Sequence, residues 1–284
     1  MISVILPVYN GEEYIYEAIN SLLEQSFSDF EVICIDDGSK DATKRIIENI
    51  ASKDNRIRLI SRENKGLIYT LNEALSLCKY DYIARMDADD ICLPNRLSLQ
   101  LEFLLRNPTV AVVGSRYHYI DESSKINGIR KSPTSNFLLK VLLTFGSPFG
   151  HPTVMINRKV VTDDLYYDPK YKAAEDYELW LRLSKKYRFA CIKKPLLLYR
   201  VLDSSISRSQ REIQLTSMVN AMLLHLFKCK VERDKIRTFL NGKLSFISSV
   251  HLISFQKSNF LIRLGSIFLL AIIRLKRRLV SLKL

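Results

Sequence analysis

Residues 84–90 read ARMDADD and place Asp87, Asp89 and Asp90 within four positions, directly after an apolar stretch. An Asp-x-Asp pair leaving a strand brings two carboxylates near one point. Such all-oxygen donors suit a hard divalent ion, Mg2+ or Mn2+, which takes one or two protein carboxylates and completes its shell with phosphate oxygens and water. Without an ion, the repulsion calls for a basic neighbour or for water. In EDYELW, Glu175 and Asp176 stand at a predicted helix start, where the helix dipole favours negative charge. Either is a candidate general base, and either would also serve as a cap. His151 in GHPTV is a lone histidine, structural or catalytic. Asp36 and Asp37 in ICIDDGS end another strand at a glycine turn. They read as turn and cap residues, or as acceptors for a polar ligand edge such as the imide N–H of uracil or a ribose hydroxyl. In LPVYN, Pro7 stiffens a strand exit and Tyr9 offers a ring on which a base can stack. In RENKG, Arg62 and Lys65 precede a helix, where cations and free N–H groups make a seat for an anion.

These side chains need elements that gather them. ISVILPVY, FEVICID, IRLIS, YDYIARM and VAVVGS are short apolar runs that read as strands. Between them, EEYIYEAINSLLEQ, SKDATKRIIENIAS (with Ser39 as its cap), LIYTLNEALSLC and NRLSLQLEFLLRN carry apolar residues at helical spacing. Four alternations of strand and helix before residue 110 predict βαβ units and a mostly parallel sheet covered by helices on both faces. Sheets of this kind bind ligands at the carboxyl ends of their strands. Those ends carry PVYN, DDGS, REN and DADD. After residue 115 the pattern loosens. YHYIDESSKINGIRKSPTSN reads as a mobile polar loop, HPTVMINR as a strand, and AAEDYELWLRLSKKY as a helix with Leu179, Trp180, Leu181 and Leu183 facing the core. FACIKKPLLLYR reads as a strand interrupted by Pro195, and the chain is helical from about Ser207.

The chain has 284 residues, of which 47% are hydrophobic, and a net charge of +13. It is long enough to bury a real core. Its five cysteines form no C-x-x-C, which argues for reduced thiols and against a zinc site. The start, MISVILPVYN, lacks the basic region of a signal peptide. From Lys235 onward there are ten Lys/Arg and no Asp/Glu, leaving only +3 on the first 234 residues. A charge excess confined to a Leu/Ile-rich tail is not a nucleic-acid-binding surface, so no nucleic acid is expected as a partner. Only ten uncharged residues separate Arg263 from Arg274, too few to span a bilayer. Asn259, Arg263, Ser266, Arg274, Arg277 and Ser281 fall near one helical stripe. The tail reads as a basic amphipathic helix suited to an anionic membrane surface, or to packing on the catalytic domain or a partner.

The order of the motifs is more specific than any one of them: PVYN, DDGS, an Asn-Lys-Gly helix start, strand-DADD-x-x-x-P-x-R, then E-D-x-E-L. In this the chain resembles an inverting family 2 glycosyltransferase of the GT-A fold, over roughly residues 1–205. The resemblance implies a Rossmann-like mixed, mostly parallel sheet flanked by helices. It divides the chain into a nucleotide-sugar-binding half (1–115), an acceptor-binding half (116–205) and a helical, basic extension (206–284). It implies that Pro7 and Tyr9 line a uridine pocket, that Asp37 accepts from uracil, and that Lys65 belongs to the donor site. Asp89 becomes the direct ligand of Mn2+ or Mg2+, Asp87 faces ribose or metal, and Asp176 is the base. Asp90 has no assigned role, with Arg96 as its expected structural partner. The Gln-x-x-Arg-Trp motif of the family's polymerases is absent, so a processive synthase is not expected. The implied activity moves a hexose or N-acetylhexosamine from a UDP-sugar to a saccharide or lipid-linked saccharide in bacterial surface polysaccharide synthesis. The implied location is cytoplasmic, peripheral on the inner face of the membrane. The alternative is a non-catalytic nucleotide-sugar-binding protein of the same fold.

Overall fold

The computed structural model of the chain describes residues 1–203, 210–228 and 230–240. Strands β1 (Ile2–Val8), β2 (Phe30–Asp36), β3 (Ile57–Ser61), β4 (Tyr82–Arg85), β5 (Ile91–Cys92), β6 (Val110–Ile120), β7 (Ile126–Arg130), β8 (Met155–Asn157) and β9 (Arg188–Arg200) form one sheet. Their order is β3-β2-β1-β4-β8-β6-β9-β5, with β7 paired onto β6. The first four strands in that order are parallel. β8 enters antiparallel between β4 and β6, and β6 and β9 again run parallel. The mixed, mostly parallel sheet expected from the sequence is therefore present.

Helices α1 (Ile15–Leu23), α2 (Thr43–Ala51) and α4 (Arg96–Arg106) cover one face. The other is covered by α3 (Leu67–Leu77), α5 (Asn136–Leu142), α6 (Arg158–Val161), α7 (Glu175–Ser184) and α8 (Arg211–Phe227). Because helices lie on both sides, β1 and β2 are buried at every position, and their sequences read as continuous apolar runs rather than alternations. Leu179, Trp180, Leu181 and Leu183 of α7 all face the core, as expected. A short α9 (Arg233–Leu240) follows α8.

Pro7 sits in a central strand, where a missing N–H is normally costly. The ladder explains it. The Val8 carbonyl points toward β2, accepting from the Asp37 N–H, whereas the Ile5 carbonyl points the other way and accepts from the Met86 N–H. Pro7 shares the direction of Ile5, and β4 has already ended at Arg85. No ladder bond is lost, and β1 leaves the sheet there on a fixed course.

The structure corrects several expectations. The segment predicted as a mobile loop is a hairpin: β6 runs on to Ile120 and β7 returns beside it, turning on the Asp121 carboxylate, which accepts from the N–H groups of Ser123 (3.0 Å) and Lys125 (3.0 Å). Of HPTVMINR only Met155–Asn157 is strand, because His151–Thr153 forms a 3-10 turn. β9 continues through Pro195, at the cost of register shifts against β6. Helix α2 starts at Thr43 rather than at Ser39; Asp41 accepts from the Thr43 N–H (3.0 Å). The tail stripe, 257–284, lies outside the described residues. Among the described residues no helix is long and apolar enough to cross a membrane.

Candidate active site

Four strand exits meet at the carboxyl edge. The loops after β1 and β2 are laced together. Asn10 N–H donates to Ser39 Oγ (2.8 Å), Lys40 N–H donates to Asn10 Oδ1 (2.9 Å), and Gly11 N–H donates to Thr43 Oγ1 (2.8 Å). Tyr9 stands about half exposed (52%) beside this lacing, while Pro7 is buried behind it. Asp36 ties β2 to β3 by accepting from Ser39 N–H (3.0 Å) and the Ser61 hydroxyl (2.9 Å), which is a structural role.

Asp37 has a different environment. Its Oδ1 accepts from Arg62 and from Lys65 N–H (2.8 Å), and its Oδ2 accepts from Gly66 N–H (2.9 Å). The anion at the N-terminus of α3 is thus Asp37 itself. This revises the predicted anion seat: Arg62 is paired with both Asp37 and Glu73 and has no charge to offer a phosphate. Lys65 remains exposed, its ammonium 4.7 Å from the Tyr69 ring centre. A carboxylate has about four lone-pair positions, so Asp37, with three filled, keeps about one for a ligand N–H. The turn between them requires Gly38 (φ +78°), where an added Cβ would lie 2.7 Å from the Asn64 nitrogen.

The acidic loop follows β4. One carboxylate oxygen from each of Asp87, Asp89 and Asp90 lies within 4.8 Å of the others. Burial pushes the Asp89 carboxyl up to about 6, with Asp87 adding repulsion, and burial raises Asp90 well above the usual range. Two arginines offset this. The buried Arg85 pairs with Asp87. Arg200, at the end of β9, donates its backbone N–H to Asp90 Oδ1 (2.8 Å) and its Nε to the Asp89 carbonyl (2.8 Å). Its guanidinium also reaches the carbonyls of Asp121 (3.0 Å) and Glu122 (3.1 Å), Ser124 Oγ (3.0 Å) and Glu17 Oε2 (2.6 Å). Arg96, expected beside Asp90, instead donates to the carbonyls of Arg85 (2.7 Å) and Val154 (3.3 Å). Asp90 Oδ2 is buried without a partner. An orphaned carboxylate oxygen in an all-oxygen cluster fits a hard divalent cation.

Helix α7 brings the second acidic pair. Burial, then the neighbouring Asp176, pushes Glu175 up to about 7. Burial also raises Asp176, against which the Tyr177 N–H, Arg85 and the nearby Ser147 hydroxyl pull down. Arg85 acts on both acidic groups, and Asp87 is felt at Glu175, so the fold has joined residues 87–90 with 175–176. His151 bonds through Nε2 to the Tyr167 hydroxyl (2.9 Å) and packs edge-on to Trp180. Burial, and Arg85 beside it, hold its pKa well below the ordinary value, so it is a neutral support. Tyr167 in turn exchanges two backbone hydrogen bonds with the Asn72 side chain, each 2.8 Å.

Arg85 and Arg200 escaped the sequence reading. Their signal was present: Arg85 is the lone cation of YDYIARM and Arg200 closes the apolar run LLLY, and a buried charge without purpose is costly.

Residues 3–166 match the family model described as glycosyl transferase family 2. The chain is a family 2 glycosyltransferase. It is 35% identical over 214 residues to the O-antigen biosynthesis glycosyltransferase WbnJ of Escherichia coli, covering 74% of this chain and 83% of the relative. It is 31% identical over 214 residues to the E. coli UDP-Glc:alpha-D-GlcNAc-diphosphoundecaprenol beta-1,3-glucosyltransferase WfgD, covering 74% and 81%. Among solved structures, S. aureus TarS 1-349 in complex with UDP-GlcNAc shares the fold, with a TM-score of 0.65 at 22% identity, over 89% of this chain and 78% of the TarS 1-349 chain. The glycosyltransferase thus presents, at one sheet edge, four strand exits, an oxygen cluster suited to a cation, and an acidic pair, Glu175 and Asp176, whose carboxyls burial shifts upward.

Proposed function

We propose that this glycosyltransferase moves a hexosyl or N-acetylhexosaminyl group from a UDP-sugar to an acceptor hydroxyl with inversion at the anomeric carbon. The observation that carries this reading is the convergence of the Asp87–Asp89–Asp90 cluster with Glu175 and Asp176 around one buried guanidinium, Arg85. Pro7, Tyr9, Asp37 and Lys65 take the uridine and its phosphates. Asp89 and Asp87 hold Mn2+ or Mg2+, with the open oxygen of Asp90 beside them. A cation bound there supplies positive charge to the departing diphosphate. Asp176 takes the acceptor proton as the acceptor oxygen attacks the anomeric carbon. The new C–O bond forms on one face while the bond to the diphosphate oxygen breaks on the other. A single displacement inverts the centre with no covalent intermediate, as in inverting glycosidases, and a diphosphate, unlike an alcohol, leaves without needing a general acid.

Residues 1–115 form the donor side, 116–205 the acceptor side and 206–284 the extension. The name of WfgD specifies a UDP-glucose donor, a diphosphoundecaprenol-linked acceptor and a β product, and TarS was solved with UDP-GlcNAc. These support a UDP-sugar donor and a lipid-linked saccharide acceptor, with the enzyme peripheral on the inner membrane face. The test is donor calorimetry beside a transfer assay, with UDP-glucose and UDP-N-acetylglucosamine in Mn2+. Asp176→Asn keeps donor affinity and loses on the order of 10²–10⁴-fold in transfer. Wild-type transfer by that variant would move the base to Glu175. Donor binding without transfer by the wild type would favour a binding protein.

A further inference from the structure

We propose that the outer face of α5 is a docking surface for an anionic lipid bilayer. Phe137 (72%), Leu138 (49%), Val141 (41%) and Phe145 (58%) are exposed. The first three lie within about a third of the helix circumference, and the turn closed by Phe145 N–H on the Leu142 carbonyl (2.9 Å) carries the stripe on. The opposite side places Leu139 and Leu143 in the core. Apolar side chains exposed singly are ordinary, but four along one stripe mark a contact surface.

Charge identifies the occupant. Residues 126–162, from β7 onward, contain five Lys/Arg and no Asp/Glu. Lys159 pairs with Asp81, and Arg158 donates to the carbonyls of Cys78 and Tyr80. Arg130 and Lys131 are exposed and Lys140 half-buried, and none of the three forms an ion pair among the described residues. Apolar side chains flanked by unpaired cations match the boundary between acyl chains and anionic headgroups. A second copy docked on this face would bring those cations against their own counterparts.

The face is also joined to the reacting centre. The Tyr177 hydroxyl, one residue after Asp176, donates to the Leu143 carbonyl (2.6 Å), and Asn136 Oδ1 anchors the other end by accepting from Phe189 N–H (2.9 Å). A bilayer meeting the outer face of α5 is therefore separated by α5 alone from the helix that carries Asp176. The benefit to transfer rests on the proposed lipid-linked acceptor; the contact itself does not.

The experiment uses the full chain with Phe137→Trp and vesicles of phosphatidylcholine with or without phosphatidylglycerol. The native Trp180 is fully buried and provides a constant background. The introduced indole should shift to the blue and be quenched by brominated phosphatidylcholine when phosphatidylglycerol is present. Phe137→Gln with Phe145→Gln should weaken vesicle binding by about tenfold or more, since each buried phenylalanine is worth roughly a decade in partition. That variant should keep its turnover of a water-soluble acceptor. Sedimentation with vesicles while the indole stays unquenched would sink the α5 contact and leave membrane binding to another segment. No sedimentation at all would sink both. Equal binding to pure phosphatidylcholine would overturn the anionic preference, and an indole already blue-shifted without lipid, at doubled mass, would assign the face to a second copy.

Discussion

Arg200→Met tests how the acidic loop is held. Methionine retains the apolar stem and removes every side-chain donor, leaving the backbone N–H on Asp90. The arginine side chain is fully buried and reaches Asp89 O, Asp121 O, Glu122 O, Ser124 Oγ and Glu17 Oε2, with Tyr14 stacked 4.3 Å from its guanidinium. A hydrogen bond from a charged group is worth about 1.5–3 kcal/mol, but summing five overshoots. Glu17 is 46% exposed, and the hairpin tip carrying Glu122 is exposed, so water replaces those partners. The Asp89 carbonyl and the Tyr14 stack are the losses water does not repair. Together they give about 3–4 kcal/mol. For a chain of this size that is a fall in Tm on the order of 10 °C. Urea denaturation followed by circular dichroism measures the loss, and calorimetry with Mn2+ measures the loop. Mn2+ affinity should fall at least about tenfold as the acidic loop loosens, since 1.4 kcal/mol is a decade. Arg200→Lys should recover only part, because an ammonium cannot span acceptors on three segments. A stability loss under about 1 kcal/mol with unchanged Mn2+ affinity would show that β5–β9 pairing alone positions the carboxylates.

Asp89→Ala should abolish nearly all transfer and Mn2+ binding, and full turnover in EDTA would refute the cation site. Asp37→Asn should destabilise the fold by about 2–4 kcal/mol in urea, because the amide nitrogen would face either the Lys65 or the Gly66 N–H group and Arg62 would lose a buried charged partner. Glu175 titrates in the folded state near 7 against an ordinary value of 4.5, so the folded state holds the proton more tightly. Its contribution to stability is therefore present below about 4.5 and lost as pH rises through about 7; Glu175→Gln should flatten that slope and raise stability at pH 8 by on the order of 3 kcal/mol, read from urea midpoints across pH. Replacing Arg274, Lys276, Arg277 and Arg278 by Gln should weaken sedimentation with anionic vesicles more than with neutral ones.

The parallel half was legible because its signals are local. β1 and β2 are unbroken apolar runs, α1 to α4 show their periodicity within a dozen residues, and DADD announces itself by spacing. What the sequence hid is what forms only across the chain. Arg85 pairs two residues away, yet its influence on Glu175 and Asp176 needs the start of α7 brought to the same sheet edge. The role of Asp37 as the anion of α3 depends on a loop 28 residues later. The β6–β7 hairpin was masked by its polarity: its strands are stabilised by pairing and by the Asp121 turn rather than by burial of β7, which is largely exposed.

The placement of Arg200 also imposes an order in time. It bonds the Asp89 carbonyl across 111 positions and Glu17 across 183. At typical synthesis rates of about 5–20 residues per second, the acidic loop exists for roughly 5–20 s before its second cation is made. During that interval β6, eleven residues long, lacks its parallel neighbour β9 and offers an open row of backbone donors and acceptors. Non-local parallel pairing is intrinsically slow, so this edge is where a stalled or truncated nascent chain would recruit another. A chain ending before residue 188 would combine that sticky edge with an under-neutralised acidic loop, which makes such fragments prone to aggregate rather than to persist as half-enzymes.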